Sequence, residues 1–311
     1  MDIVYHLLWY FFIYAFLGWC SEVCFAALRT GSFVNRGFLN GPLCPIYGFG
    51  VVLVVSLLAP VKEHFFLLFL SSVVLCSALE WITGFLLEKL FHQKWWDYSD
   101  QPFNLNGYIC PIFSLLWGFA CLIIMDMVHP AVESLVRHIP RPVGLFLLAV
   151  FLVLAVVDVS ATVAAMVGLN KHLRQLDEMA ARIKQASNEL GENLADATLN
   201  LSERGAELKE DISDLRDDLA ERSADLKEDL SERLAAREAE QTARRMARDA
   251  ALKRREAALA ELKAANEELL STYGFGQQRL LRAFPHMTST RHAAALEALR
   301  KRAREYRERK D

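Results

Sequence analysis

Charge is scarce in the first part of this chain. Residues 1–170 hold seven Lys or Arg and ten Asp or Glu, against twenty-eight of each sign in 171–311. So few charges exclude a soluble surface for the first part, since ordinary soluble domains are about a quarter charged. Tryptophan and cysteine are missing beyond residue 170, and proline is missing from Lys171 to Leu270. Without proline nothing in that stretch breaks a helix. Also missing are a Gly-rich phosphate loop ending in Lys-Ser or Lys-Thr, a zinc-binding helix motif, a nucleophile elbow and a kinase motif set. The expectation is therefore no enzyme, no ATPase within the chain, no cofactor and no metal. Cys20, Cys24, Cys44, Cys76, Cys110 and Cys121 lie in or beside apolar runs and read as small buried hydrophobes. The tail carries equal numbers of both signs, and no nucleic-acid partner is expected.

What is present is apolar length. Five stretches, roughly 3–28, 43–60, 64–91, 108–128 and 143–168, approach or exceed the ~20 helical residues that cross a bilayer. The expected fold class is all-α: a polytopic membrane bundle of about five transmembrane helices with a duplicated two-helix unit, then a long charged cytoplasmic helix or coiled coil. The expected domains are a bundle over 1–170, a charged helix over 171–270 and a helical tail over 271–311. Met1–His6 lacks a basic region and no cleavage site follows, so the first run is expected to stay as an anchor. Five spans place the termini on opposite sides. A cytoplasmic charged tail then puts the N-terminus outside the cell membrane and loops 29–42 and 91–107 inside, which the Lys and Arg balance favours.

The chain repeats itself. Leu39-Asn40-Gly41 and Cys44-Pro45-Ile46 return at an offset of 66 residues as Leu105-Asn106-Gly107 and Cys110-Pro111-Ile112, and Gly18 and Glu22 return as Gly84 and Glu88. The repeat units run over about 14–60 and 80–128, each a helix, a loop and a returning helix. Two such units share one orientation, as in transporters built from parallel repeats. Further on, Leu194, Leu201, Leu208 and Leu215 step by seven, and the stretch from Leu201 is echoed from Leu219 after 18 residues, which is five helical turns. Gly191 and Gly205 are the weak points of that helix.

Candidate site residues follow from burial cost. Glu22, Glu80, Glu88 and Asp158 fall inside apolar runs, where an ionisable group faces a partner or a wet cavity. They bind a cation or proton, pair with Arg29 or Arg36, or act as polar glue between helices. Asn40 and Asn106 fall where helix N-caps are expected, before Pro45 and Pro111 in the first turns. The two helix N-termini would converge on an anion site, or the loops are turns that lock the bundle. Trp95-Trp96-Asp97-Tyr98-Ser99 is an interfacial anchor or a stacking platform, with Asp97 and the following Asn104 as polar candidates.

The loop Gly31-Ser-Phe-Val-Asn-Arg-Gly-Phe-Leu-Asn-Gly-Pro-Leu-Cys-Pro-Ile-Tyr-Gly-Phe-Gly50, with Trp95–Ser99, Phe103-Asn104 and Asn106–Cys110, resembles the bacterial membrane family of type IV ABC-transporter permeases, the CmpB-like family. The resemblance covers roughly 5–165. Gln278-Arg-Leu-Leu-Arg-Ala-Phe-Pro-His286 is similar to the ending of many such proteins. What the resemblance implies is a multi-pass subunit with a transport role, its ATPase supplied in trans. Beside the lipid bilayer and that ATPase, the expected partner is a second copy through the coiled coil. The rival expectation is a membrane-anchored scaffold or sensor working through the long helix. A third is a membrane enzyme acting on lipid or isoprenoid through the loop motifs.

Overall fold

The computed structural model describes residues 2–218 and 225–308. It divides into two units: Met1–Arg174 with Thr272–Asp311, and Gln175–Ser271. The first unit opens with α1 (Asp2–Thr30), α2 (Pro45–Leu58, extended by a 3-10 turn over Ala59–Val61) and α3 (Phe65–Phe91). A two-residue strand β1 (Gln93–Lys94) precedes α4 (Pro111–Ile123). A π-turn over Ile124–Val128 joins α4 to α5 (His129–His138), and α6 starts at Arg141. Four helical stretches, Asp2–Thr30, Phe65–Phe91, Pro111–His138 and Arg141–Glu192, are long and apolar enough to cross a membrane, and Pro45–Val61 is a shorter apolar helix. The all-α polytopic bundle expected from the apolar runs is what forms.

The helices pack as α1 with α2 and α3 with α4, and α2 against α3 joins the two pairs. Aromatic residues of α1 (Tyr5, Trp9, Phe12) meet Val51 of α2, Val132 and Val136 of α5 and Leu148 of α6 in one cluster. Val54, Leu68, Cys121, Leu122 and Met125 form a second cluster between the pairs. Outward, Phe146, Val153, Val156 and Val157 of α6 are exposed. An apolar belt of this kind is solvated by hydrocarbon rather than water. The buried face of α6 carries Thr162, Met166, Leu169 and Leu173 at helical spacing.

One boundary departs from expectation. Residues 129–138 continue the helix instead of forming a connection, because the π-turn absorbs a register change just before Pro130. The ring then sits in the first turn of α5, where its missing N–H costs little.

The tail segment of the first unit comprises α8 (Phe275–Ala283), β2 (Thr288–Ser289) and α9 (Ala293–Glu308). Leu280, Met287, Leu296 and Leu299 are fully buried within that unit. In the second unit α6 continues to Asp218 and α7 runs Asp225–Ser271. The helix passes Gly191 and Gly205 unbroken. The side chains of Leu194, Leu201, Leu208 and Leu215 fall outside the described ones, as do residues 219–224 at the start of the echo.

Candidate functional site

The first repeat loop is clamped between two charges. Asp158 of α6 accepts hydrogen bonds from the Asn40 backbone N–H (2.9 Å), the Asn40 side-chain amide (2.9 Å) and the Gly41 N–H (2.7 Å). The same Asn40 amide donates to Thr162 at 3.0 Å. From the other side the Arg279 guanidinium of α8 donates to the carbonyls of Gly37 (2.9 Å), Phe38 (2.8 Å) and Leu39 (2.8 Å). Irregular backbone therefore finds its donors satisfied by an anion and its acceptors by a cation, which is how such backbone survives away from water. Burial lowers the pKa of Arg279, and the Asp158 carboxylate acts against that shift.

Both repeats build the same carboxylate–phenol contact. The Tyr47 hydroxyl donates to Glu22 at 2.6 Å, and the Tyr108 hydroxyl donates to Glu88 at 2.6 Å. A Cβ at Gly18 would lie 2.3 Å from the Tyr47 ring, and one at Gly84 would lie 2.9 Å from the Tyr108 ring. Each glycine, one turn before its glutamate, makes room for the ring that reaches that glutamate. Each carboxylate also has a cation: Arg36 approaches Glu22 at 3.4 Å and Lys94 approaches Glu88 at 4.0 Å. The two cations also lie over aromatic rings, Arg36 at 5.2 Å from Phe25 and Lys94 at 5.4 Å from Tyr108.

The second repeat loop is held mostly from within. Asp97 accepts from the Ser99 N–H at 3.0 Å and from the Ser99 hydroxyl. Asn104 donates to the carbonyls of Ser99 (3.1 Å) and Gln101 (2.8 Å) and accepts from the Gly107 N–H (3.0 Å). Asn106 and Gly107 are left-handed, at φ 56° and 74°. Neither asparagine caps a helix. The N-cap positions are Cys44 and Cys110, both extended, with Pro45 and Pro111 in the first turns. Asn40 spends its side chain on Asp158 and Thr162, while Asn106 supplies the left-handed turn that only a few residue types adopt cheaply.

The tail touches this second loop as well. β2 pairs antiparallel with β1, setting Gln93 opposite Ser289. Gln93 is wholly buried and donates to Asn170 at 2.9 Å. Trp95 is buried between Phe38 of the first loop and Phe284 of the tail, at ring distances of 5.0 and 4.5 Å. It is neither an exposed anchor nor an open platform. Arg279, Phe284 and β2 thus tie one tail segment to both loops.

Glu80, in the middle of α3, is different. It is 9% exposed. The Tyr98 hydroxyl donates to its Oε1 at 3.3 Å, and the Trp117 indole lies beside the same carboxyl. Its Oε2 is buried without a hydrogen-bond partner. Tyr98 stacks on Phe113 at 4.7 Å, and Trp117 meets the edge of Tyr47 at 5.6 Å. Aromatic contacts thereby run from Glu80 in the second pair to Glu22 in the first.

Of the nine candidate positions, the structure brings Asn40 to Asp158 and Arg36 to Glu22, and sets Asp97 and Asn104 in one turn system. Glu80 and Glu88 lie two turns apart on α3 and do not meet. Arg279, Tyr47, Tyr98, Tyr108, Trp117 and Thr162 were absent from the candidates. The one signal for Arg279 was its place in the Gln278–His286 stretch.

Four apolar helices long enough to cross a bilayer, packed in an all-α bundle, define a multi-pass helical membrane protein. Residues 9–163 match the family described as "Putative ABC-transporter type IV" (ABC_trans_CmpB), and the chain belongs to that family through its membrane helices. Its coarse role is the one that description gives, a component of ABC-type transport. No curated protein and no solved structure matches the chain.

Proposed function

We propose that this chain is a permease-like transport subunit whose path runs between the two helix pairs, past Glu80. The observation that carries this reading is a contrast among four acids. Glu22 has Tyr47 and Arg36, Glu88 has Tyr108 and Lys94, and Asp158 has three N–H donors. Glu80 has one neutral donor, the Tyr98 hydroxyl at 3.3 Å, and a buried oxygen without a hydrogen-bond partner. A carboxylate at membrane depth is costly, and the fold has compensated three of the four. An unmet one suits a group that moves.

In this reading the N-terminus is outside the cell membrane, and both repeat loops, the tail and the long helices are cytoplasmic. An ATPase in trans supplies the energy. Asp158, Asn40 and Arg36, with Asp97, Asn104 and Asn106, shape the loops; Glu22 and Glu88 fix the tyrosines that flank the path. Purification in mild detergent from the native host, followed by mass spectrometry, tests the assignment. A stoichiometric nucleotide-binding ATPase is expected, and its loss from the Glu80→Gln protein is not.

A second reading, a membrane-anchored scaffold, draws on α7, where every residue over 235–251 is exposed. Deleting 175–271 separates the two: a scaffold loses its function and its partners, whereas a permease keeps its ATPase.

A further inference from the structure

The two ends of the bundle treat their cations differently. At the end where α1 begins, Arg137 is paired with Glu133 and Arg141 with Asp2. At the loop end, Arg36 and Lys94 occupy Glu22 and Glu88. Other cations at that end, and on the tail packed there, are exposed and make no ion pair among the described residues: Arg29, Lys89, Arg282, Arg291, Lys301 and Arg304. Residues 272–311 carry ten Lys or Arg against four Asp or Glu. Such a surplus, docked on one end of a membrane bundle, is matched by an anionic surface.

Position identifies that surface as the bilayer's own. α8 begins against the last turn of the apolar run of α6. A Cβ at Gly276 would lie 2.8 Å from the Ala165 Cβ, and one at Gly168 would lie 3.1 Å from the Gln277 amide. The hydrocarbon edge therefore falls at the first turn of α8, where Phe275 stands 83% exposed. About two helical turns further on, Arg282 is exposed on the same face, while Leu280, Leu281 and Ala283 fill the inward one. An apolar ring at the acyl boundary, with a cation beyond it, is the pattern of an interfacial helix. Arg291 follows Thr290, whose N–H donates to the His92 carbonyl at 3.0 Å, just past the end of α3. On the neighbouring helix ends Arg29 lies 5.2 Å from the Phe25 ring and Lys89 lies 5.7 Å from the Phe85 ring. Both rings are exposed, so both cations run along the lipid-facing wall toward headgroup depth. A nucleic acid or an acidic protein would match the charge and leave Phe275 unexplained. We propose that α8, β2 and α9 form a docking surface for anionic phospholipid headgroups, with Phe275 at the acyl boundary and Arg282, Arg291, Lys301 and Arg304 on the phosphates.

The test uses the full chain and reads amide hydrogen exchange over 275–304, which is independent of transport. Nanodiscs of phosphatidylcholine alone are compared with nanodiscs that also contain phosphatidylglycerol. Exchange should slow by at least about tenfold with phosphatidylglycerol, since each basic residue near an anionic surface contributes about fivefold in binding. Raising sodium chloride should remove that protection in wild-type protein, because exposed charges are screened. Arg282→Gln, Arg291→Gln, Lys301→Gln and Arg304→Gln combined should remove it too. These positions are exposed, so the melting curve in phosphatidylcholine should not change. Phe275→Ser keeps every charge and should lower the protection by about three- to tenfold. Equal exchange in the two kinds of nanodisc would overturn the surface. So would protection that survives high salt or the four combined substitutions. Inorganic phosphate at matched ionic strength that protects as strongly as phosphatidylglycerol would make this a free-anion site, which also overturns the proposal.

Discussion

The two repeat loops carry the same Leu-Asn-Gly and Cys-Pro-Ile residues and are stabilised by different means. In the first, side chains of distant helices do the holding: Asp158 from α6 takes the N–H groups and Arg279 from α8 takes the carbonyls. In the second, Asp97, Asn104 and Ser99 satisfy the backbone locally, and Asn106 turns it through a left-handed φ of 56°. A matching motif thus fixes the entry into a helix without fixing what each residue does. The first loop depends on partners more than 100 positions away, while the second depends mainly on residues within ten.

That difference predicts unequal responses to equivalent substitutions. Asp158→Asn should have the largest effect. One amide oxygen replaces two carboxylate oxygens that serve three donors, and hydrogen bonds to charged groups contribute about 1.5–3 kcal/mol each. A loss of about 3 kcal/mol is expected, seen as a lowered melting temperature and as protease cutting near Arg36. Equal melting of Asp158→Asn and wild type would break the contrast between the loops.

Gly18→Ala and Gly84→Ala come next. Overpacking costs about 1–3 kcal/mol, and the closer approach at Gly18 (2.3 against 2.9 Å) places it at the upper end. Thermal melting of the pair should rank Gly18→Ala below Gly84→Ala; the reverse order would contradict the ring positions. The smallest effect belongs to Asp97→Asn. Asp97 is exposed and its bonds lie inside one turn, so a change within about 0.5 kcal/mol is expected, checked by the same melting assay. A loss as large as that at Asp158 would show that the second loop also leans on its single carboxylate.

Much of the fold was legible because membrane helices announce themselves by apolar length: Asp2–Thr30 and Phe65–Phe91 lie close to the runs read at 3–28 and 64–91. The helix through His129 was not, since one proline in a polar stretch reads as a break and a π-turn has no composition of its own. Glu22 and Glu88 stood out by their matching positions, and the glycines before them matched too. That those glycines admit Tyr47 and Tyr108 could not be read, because the tyrosines occupy unmatched positions in the two repeats. The asparagines read as caps because they precede Pro45 and Pro111. Competition from Asp158, 118 residues away, is invisible to any local rule. Arg279 escaped for the same reason, its acceptors lying about 240 residues earlier.

The central claim is that Glu80 is held against its own stability while Asp158 is held for it. Melting of Glu80→Gln beside wild type and Asp158→Asn, in one detergent at pH 7, tests it most directly. Replacing a buried carboxyl oxygen that has no partner should leave the melting temperature of Glu80→Gln at or above wild type, while Asp158→Asn, which loses an acceptor serving three donors, falls below it. A Glu80→Gln protein that melts as far below wild type as Asp158→Asn would make Glu80 structural glue and contradict the account.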